Sequence, residues 1–308
     1  MKKRVLFIYN PNAGRGKIRS KLSEILEVFS QSDCELIVYP TKQRMDARVK
    51  AIEYAQNGEC TAIICSGGDG TLNEVVGGLM ECNVSLPVGY IPSGTTNDFG
   101  YSLRIPKDMV KAAQIIVKGA TLLCDVGKIN EQYFTYTAAF GLFTDVSYDT
   151  PQNVKNVLGR MAYILSGVSK LHGIKSFRMK VELEDEEIED EFMVGMIANS
   201  NSVGGFRGIT GKQVLLNDGL FELIFIRKPH NVIEVSNIIN ELLKNDLSGK
   251  YFYYRRVSNV KVYSDIDIPW ALDGEYGGTT RIANITVCKQ AIPYVCNRIL
   301  KSESELKS

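Results

Sequence analysis

At 308 residues the chain is long enough for one large core or, more naturally, two domains. Its 44% hydrophobic and 23% charged residues match an ordinary soluble globular protein. Thirty-six basic residues oppose 35 acidic ones, so no overall field draws the chain to nucleic acid or an anionic bilayer, and any membrane contact must be local.

Along the chain, Met-Lys-Lys-Arg precedes the short apolar run Val5 to Tyr9, which has neither the length nor the cleavage site of a signal peptide and reads as a buried parallel strand. Ile18, Leu22, Ile25, Leu26 and Phe29 recur at helical spacing. Leu36 to Tyr39 predicts a strand, and Ala47, Ala51 and Ala55 share one helical face. Ala62 to Cys65 is the next strand. Leu72, Val75, Val76 and Leu79 mark a helix, with Thr71 and Glu74 at capping-box spacing. Val88 to Ile91 and then Met109, Ala113, Ile116 and Val117 complete the alternation. Strands alternating with helices predict a doubly wound α/β half that binds ligands at the carboxyl ends of its strands.

After about residue 122 the period changes. Phe177, Met179, Val181 and Leu183 alternate with charged residues, and an acidic turn near Asp185 leads to Phe192 to Ala198 as a hairpin partner. Phe221 to Ile226, Val257 to Tyr263 and Ile282 to Cys288 are further strands, and Asn231 with Glu234 caps a helix. This predicts an α/β domain over 1–122 followed by a mainly antiparallel β-rich domain over 123–289, with 290–308 free to rejoin the first. The seven cysteines are scattered without a Cys-x-x-Cys pair, and neither histidine has a ligand partner at metal spacing. That reads as reduced thiols and no zinc site. No run of about 18 apolar residues is present for a membrane span.

Ser66-Gly67-Gly68-Asp69-Gly70-Thr71-Leu72-Asn73-Glu74 follows a strand and opens a helix. Its glycines let backbone N–H groups approach a phosphate, and the helix N-terminus adds partial positive charge. Asp69 is an anion and cannot itself bind phosphate. It suits holding Mg²⁺ or accepting a proton from an attacking hydroxyl. Asn10-Pro11-Asn12-Ala13-Gly14-Arg15-Gly16-Lys17 and Pro92-Ser93-Gly94-Thr95-Thr96-Asn97-Asp98-Phe99 occupy equivalent places after two other strands. Three such loops on one sheet edge predict a nucleotide site.

With Thr41, Asp125, Asn217-Asp218-Gly219 and Asp273-Gly274-Glu275 in order behind them, these motifs resemble the bacterial lipid kinases related to diacylglycerol kinase, over nearly the whole chain. The resemblance implies ATP in a cleft between the two domains. Asn10, Pro11, Asn12, Ala13, Gly14, Thr41, Gly67, Gly68, Asp69, Gly70, Thr71, Leu72, Asn73 and Thr95 (or Thr96, one register on) would bind it. It also implies Glu275 as general base, with Asp69 as the other catalytic or metal-binding carboxylate. A structural Mg²⁺ would rest on Asp218 and the carbonyls of Leu215 and Leu220. Asp98, Asp125, Asp273 and a basic residue, Arg15 or Lys17, would link that metal to the catalytic centre. The implied partners are ATP, Mg²⁺ and a lipid presented at a membrane, with self-association open and nucleic acid excluded. The implied place is the cytoplasm, peripherally at the inner face of the membrane. Diacylglycerol leads as acceptor; a sphingoid base, ceramide or NAD, or a non-catalytic nucleotide-binding module, are the alternatives. Relatives often carry a proline-containing stretch where this chain has Thr210-Gly211-Lys212.

Other patterns fail on inspection. Gly208 to Gln213 resembles a P-loop, but the first glycine would fall at Phe206 and Gln213 replaces Ser or Thr. Asp185 to Glu191 reads as a solvated turn, and Tyr251 to Arg256 as half-buried strand rather than a nucleic-acid patch. Leu158, Met161, Ala162, Leu165 and Val168 share one helical face, which suits either a packed surface helix or a bilayer contact.

Overall fold

The computed structural model of the protein describes residues 3–141, 175–204, 206–207, 210 and 214–297. The amphipathic stretch around Met161 and Leu165, the glycine-lysine segment 211–213 and the chain end 298–308 lie outside them.

The first half alternates as its periodicity predicts: β1 (Lys3–Tyr9), α1 (Lys17–Ser30), β2 (Cys34–Pro40), α2 (Asp46–Gln56), β3 (Ala62–Gly67), α3 (Asp69–Glu81), β4 (Val88–Pro92), α4 (Asp98–Ser102) and α5 (Met109–Lys118). All four strands are parallel, in the order β2-β1-β3-β4. The chain leaves β1 toward β2 and then crosses back to β3. Right-handed crossovers in opposite directions put α1 and α5, which pack together, on one face and α2 with α3 on the other. The switch of direction opens a crevice at the carboxyl ends of β1 and β3.

The second half is antiparallel: β5 (Ala120–Ile129), β6 (Gln132–Phe134), β7 (Thr137–Gly141), β8 (Phe177–Glu182), β9 (Glu187–Ala198), β10 (Ser202–Val203), β11 (Phe206–Arg207), β12 (Phe221–Arg227), α6 (Val232–Leu243), β13 (Phe252–Val257), β14 (Asn259–Leu272) and β15 (Glu275–Cys296). The Phe177 strand and the Phe192 strand form the expected hairpin. The expected single strand from Val257 to Tyr263 is instead split at Ser258 between β13 and β14. Phe140 meets Phe177, Phe225 and Trp270 edge-on in the core of this half, a favourable aromatic geometry.

β15 is the strand that joins the halves. It pairs with β14 and β5 along most of its 22 residues, then runs parallel to β4 at Tyr294 and Val295. Its register against β5 shifts between Cys288 and Ile292, where Gln290 takes φ +50°.

One capping expectation is corrected. Helix α3 begins at Asp69, with Gly68 as an N-cap that makes no side-chain bond. Glu74 does not cap its own helix: its carboxylate accepts the N–H groups of Met45 (2.9 Å) and Ala47 (3.2 Å) at the start of α2. Asn231 does cap α6, accepting the Glu234 N–H at 2.9 Å, while Glu234 accepts the His230 N–H.

Candidate active site

Three loops meet at the carboxyl edge of the parallel strands, and glycines let them touch. Gly14 has φ +56°, and a Cβ there would lie 2.0 Å from the Ser93 carbonyl oxygen. A Cβ on Gly94 would come within 2.5 Å of the Gly68 Cα. Asn97 fixes the third loop from a left-handed position (φ +55°): it accepts the Gly94 N–H at 3.0 Å and donates to the Gly94 carbonyl at 2.9 Å. The Ser93 N–H bonds the Gly67 carbonyl at 2.9 Å and the Asn10 N–H bonds that of Ser66 at 2.8 Å, so each loop is tied to the next.

Glu275 reaches this edge from the other half. Asp273 (φ +50°) and Gly274 (φ +85°) turn β14 into β15, with Leu272 opposite Glu275, the two-residue geometry that Asp-Gly favours. The Asp273 carboxylate is buried and anchors the turn. It accepts N–H groups of Thr135 (2.7 Å), Tyr136 (2.9 Å) and Thr137 (3.0 Å), with the Asn73 side chain. Glu275 thereby sits over the first turn of α3, where a Cβ on Gly70 would lie 2.3 Å from its Oε1. Its Oε2 is 3.1 Å from the Arg44 guanidinium, in an exposed pair of a kind contributing about 0–1 kcal/mol.

A cleft of about 360 Å³ opens here. Asn10 and Asn12 of the first loop, Thr41 to Arg44 after β2, Gly70, Thr71 and Glu74 of α3, and Glu275 line it. A smaller cleft of about 120 Å³ lies beyond, sharing Arg44, Gly70, Glu74 and Glu275 and adding Tyr133, Leu272 and Tyr276. Of the residues expected at a nucleotide, Asn10, Asn12, Thr41, Gly70 and Thr71 thus share one wall system, and Gly14, Gly67 and Gly68 lie in the glycine contacts beneath it. Leu72, Asn73 and Thr95 stand outside that wall. The Leu72 side chain is fully buried in the core of the α/β half, and Asn73 spends its amide on Asp273 and the Tyr133 carbonyl. Leu72 thus sits on the core face of α3, while Asn73 lines the smaller cleft with Gly70 and Glu74. Thr95 and Thr96 are both exposed at the tip of the third loop, outside the cleft lining. The basic side chain tied to the first loop is Arg19, which donates to the Pro11 carbonyl (3.1 Å) and Asn12 Oδ1 (2.9 Å); Arg15 and Lys17 are exposed. Arg19, Arg44 and Gln43 carried no sequence signal, because a lone cation on a polar helix face or loop has no period or spacing.

Behind the cleft the acids converge. Asp69 opens α3 and accepts the N–H groups of Asp98 (3.2 Å) and Phe99 (3.4 Å). Burial pushes its carboxyl up to about 7, helped by the neighbouring Asp98 and Asp273 charges and offset in part by those two donors. Buried Asp98 accepts the Ser202 hydroxyl at 2.5 Å. Burial likewise raises Asp273 despite its four donors.

Asp125 lies against the Asn217-Asp218-Gly219 turn. It accepts the Gly219 and Gln290 N–H groups, each at 2.7 Å, and burial lifts it to about 6. Asp218 accepts the Leu220 N–H at 3.0 Å and pairs with the Arg256 guanidinium. Among the described residues no three His, Cys, Asp or Glu side chains form a metal cluster. A cation here would rest on one carboxylate and backbone carbonyls, a hard-oxygen set that suits Mg²⁺ retaining several waters. Two buried acceptors beside the turn, Asn217 Oδ1 and Glu222 Oε2, have no partner among the described residues. The Asn217 oxygen and the Asp218 carboxylate of the turn fit a cation, which would share Asp218 with the Arg256 guanidinium already paired to it.

A glycine-lined loop edge faced by a carboxylate from a second, β-rich half suits a phosphotransferase, a kinase. Comparison with known proteins narrows the class. Residues 4–129 match the diacylglycerol kinase catalytic domain. The chain is 36% identical to the diacylglycerol kinase of Bacillus subtilis, over 90% of this chain and 91% of that protein. It is 33% identical to that of Staphylococcus saprophyticus over 98% of both. A solved chain from Bacillus anthracis, provisionally described as a diacylglycerol kinase, superposes with TM-score 0.83 at 25% identity, covering 97% of each. The protein belongs to the diacylglycerol kinase family of lipid kinases.

Proposed function

We propose that the chain transfers the γ-phosphate of ATP to the free hydroxyl of diacylglycerol, giving phosphatidic acid. The observation that carries this reading is the placement of Glu275 over the first turn of α3, at the mouth of a cleft walled by the first two glycine-bearing loops and by Thr41 to Arg44. Backbone N–H groups at the start of α3 and the polar side chains of Asn10, Asn12 and Thr41 hold the donor's phosphates. A lipid hydroxyl is a poor nucleophile at neutral pH. Glu275, with its carboxylate accessible in the cleft, takes the hydroxyl proton as the oxygen bonds to the γ-phosphorus and the β–γ bridging bond breaks, leaving ADP. Asp69 is buried behind the cleft and already accepts two backbone donors, so it ranks second to Glu275 as proton acceptor. Mg²⁺ would supply neutralisation of charge on the transferring phosphate, and the Asp218 turn, with the Leu215 and Leu220 carbonyls, would hold a structural ion.

Phosphatidic acid carries a glycerol and two acyl chains, so the acceptor comes from a bilayer. We place the protein at the cytoplasmic face of the membrane as a peripheral enzyme. Among the described residues no helix is long and apolar enough to cross a membrane. The deciding experiment offers labelled ATP with Mg²⁺ to diacylglycerol, monoacylglycerol, sphingosine, ceramide and phosphatidylglycerol in mixed micelles, with NAD as a soluble control. Labelled phosphatidic acid as the dominant product is the expected result. Another labelled lipid keeps the mechanism and changes the acceptor. Labelled NAD alone, or ATP binding without transfer, overturns the lipid reading.

A further inference from the structure

We propose that Arg44 is an exchange arm, pairing with Glu275 while the cleft is empty of nucleotide and passing to the phosphates of a bound nucleoside triphosphate, which frees Glu275 for the acceptor hydroxyl. The inference rests on the kinase reading above and adds a positioning residue to it.

Four features lead there. Arg44 Nη2 lies 3.1 Å from Glu275 Oε2, and both side chains line both clefts. The other acid of the nucleotide cleft, Glu74, is committed to the N–H groups of Met45 and Ala47. Glu275 is therefore the carboxylate that an arriving triphosphate would meet, and two anions brought together in a cleft repel. Of the two cations lining that cleft among the described residues, Lys42 and Arg44, Arg44 is the one already on Glu275 and so placed to pass between the two. Nearby Arg48 is tied to Glu81 at 2.8 Å.

The backbone beneath the arm is fixed while the arm is loose. Met45 takes φ +70° and is pinned by Glu74, and the Lys42 and Gln43 N–H groups are held by Asp46 at 2.7 and 3.1 Å. The Arg44 side chain itself is 69% exposed. An exposed single-contact pair is a weak latch. A phosphate chain offers a guanidinium several oxygens and bidentate geometry, the stronger of the two engagements. Exchange therefore runs toward the nucleotide, and Glu275 becomes available only when a phosphoryl donor is present. Such an order spares the site an unproductive acceptor.

The test uses the full-length protein with R44Q, R44K and E275Q. Binding of a non-hydrolysable ATP analogue is followed by calorimetry and turnover by phosphate transfer to micellar lipid. R44Q is expected to weaken analogue binding and raise KM for ATP by about tenfold, the loss of one charge-assisted contact, with kcat changed less than about threefold. R44K is expected to recover part of the binding. E275Q is expected to tighten analogue binding by about threefold or more, since the arm is no longer held back. Unchanged thermal unfolding of R44Q keeps the comparison meaningful at this exposed position. Analogue binding by R44Q within twofold of wild type, or a fall in kcat at constant KM, overturns the exchange while leaving the kinase reading in place. Failure of the wild-type chain to bind any nucleoside triphosphate overturns both.

Discussion

Asp69 and Glu275 divide the carboxylate chemistry by environment. Glu275 stands in the cleft at the end of a pinned hairpin, and replacing it with glutamine keeps shape while removing the proton acceptor. E275Q is expected to lower kcat by about 10²–10⁴-fold with unchanged unfolding behaviour, checked by steady-state phosphate transfer and circular dichroism. Asp69 carries a conflict between folding and chemistry. Its folded pKa is about 7 against an ordinary 3.8, so the folded chain holds a proton that the unfolded chain has released. Its contribution to stability is therefore fully present below pH 3.8 and is lost as pH rises toward 7, by up to about 4 kcal/mol. The ionised carboxylate, the form able to hold Mg²⁺ or take a proton, is the one the fold opposes. D69N should gain stability over wild type at pH 8 more than at pH 5, as read from urea midpoints. In wild type, kcat should fall as pH drops below about 7.

Single elements carry the geometry of the loops. The first turn of α3 accommodates Glu275 because Gly70 has no Cβ. A methyl there would displace the end of a flexible side chain and not backbone, so G70A should fold normally and lose about 10²-fold in kcat through a misplaced base, a split that parallel unfolding and kinetic measurements would reveal. Glu74 joins α3 to the start of α2, and E74A should cost about 1 kcal/mol as a lost cap, seen as a lower denaturation midpoint. The alternation of strands and helices in this half was legible because buried runs and helical faces have fixed periods. The capping expectation failed because spacing shows that a carboxylate can reach an N-terminus but not which one. Asp273-Gly274 was read for chemistry, yet its sequence is equally a two-residue hairpin signal, and the turn is what delivers Glu275. Arg44 and Arg19 were beyond reading, since their partners lie in another loop or at the far end of the chain.

At the scale of the molecule, Asp125 ties β5 to two distant parts of the second half: its carboxylate holds the Gly219 turn and the irregular point of β15 at Gln290. D125A would leave two N–H groups without their acceptor and should destabilise the chain by about 2–4 kcal/mol while weakening any Mg²⁺ dependence of activity, measured by denaturation and metal titration. The full course of β15 was not legible, because its exposed positions mix charged and apolar residues and its register shift breaks the alternation midway. That strand bears on how the chain is made. The parallel sheet of the first half is closed on its β4 side by Tyr294 and Val295, residues made long after β4 itself. A ribosome therefore releases the glycine loops long before the sheet beneath them is complete, and for that interval the edge of β4 stands open to whatever strand comes first.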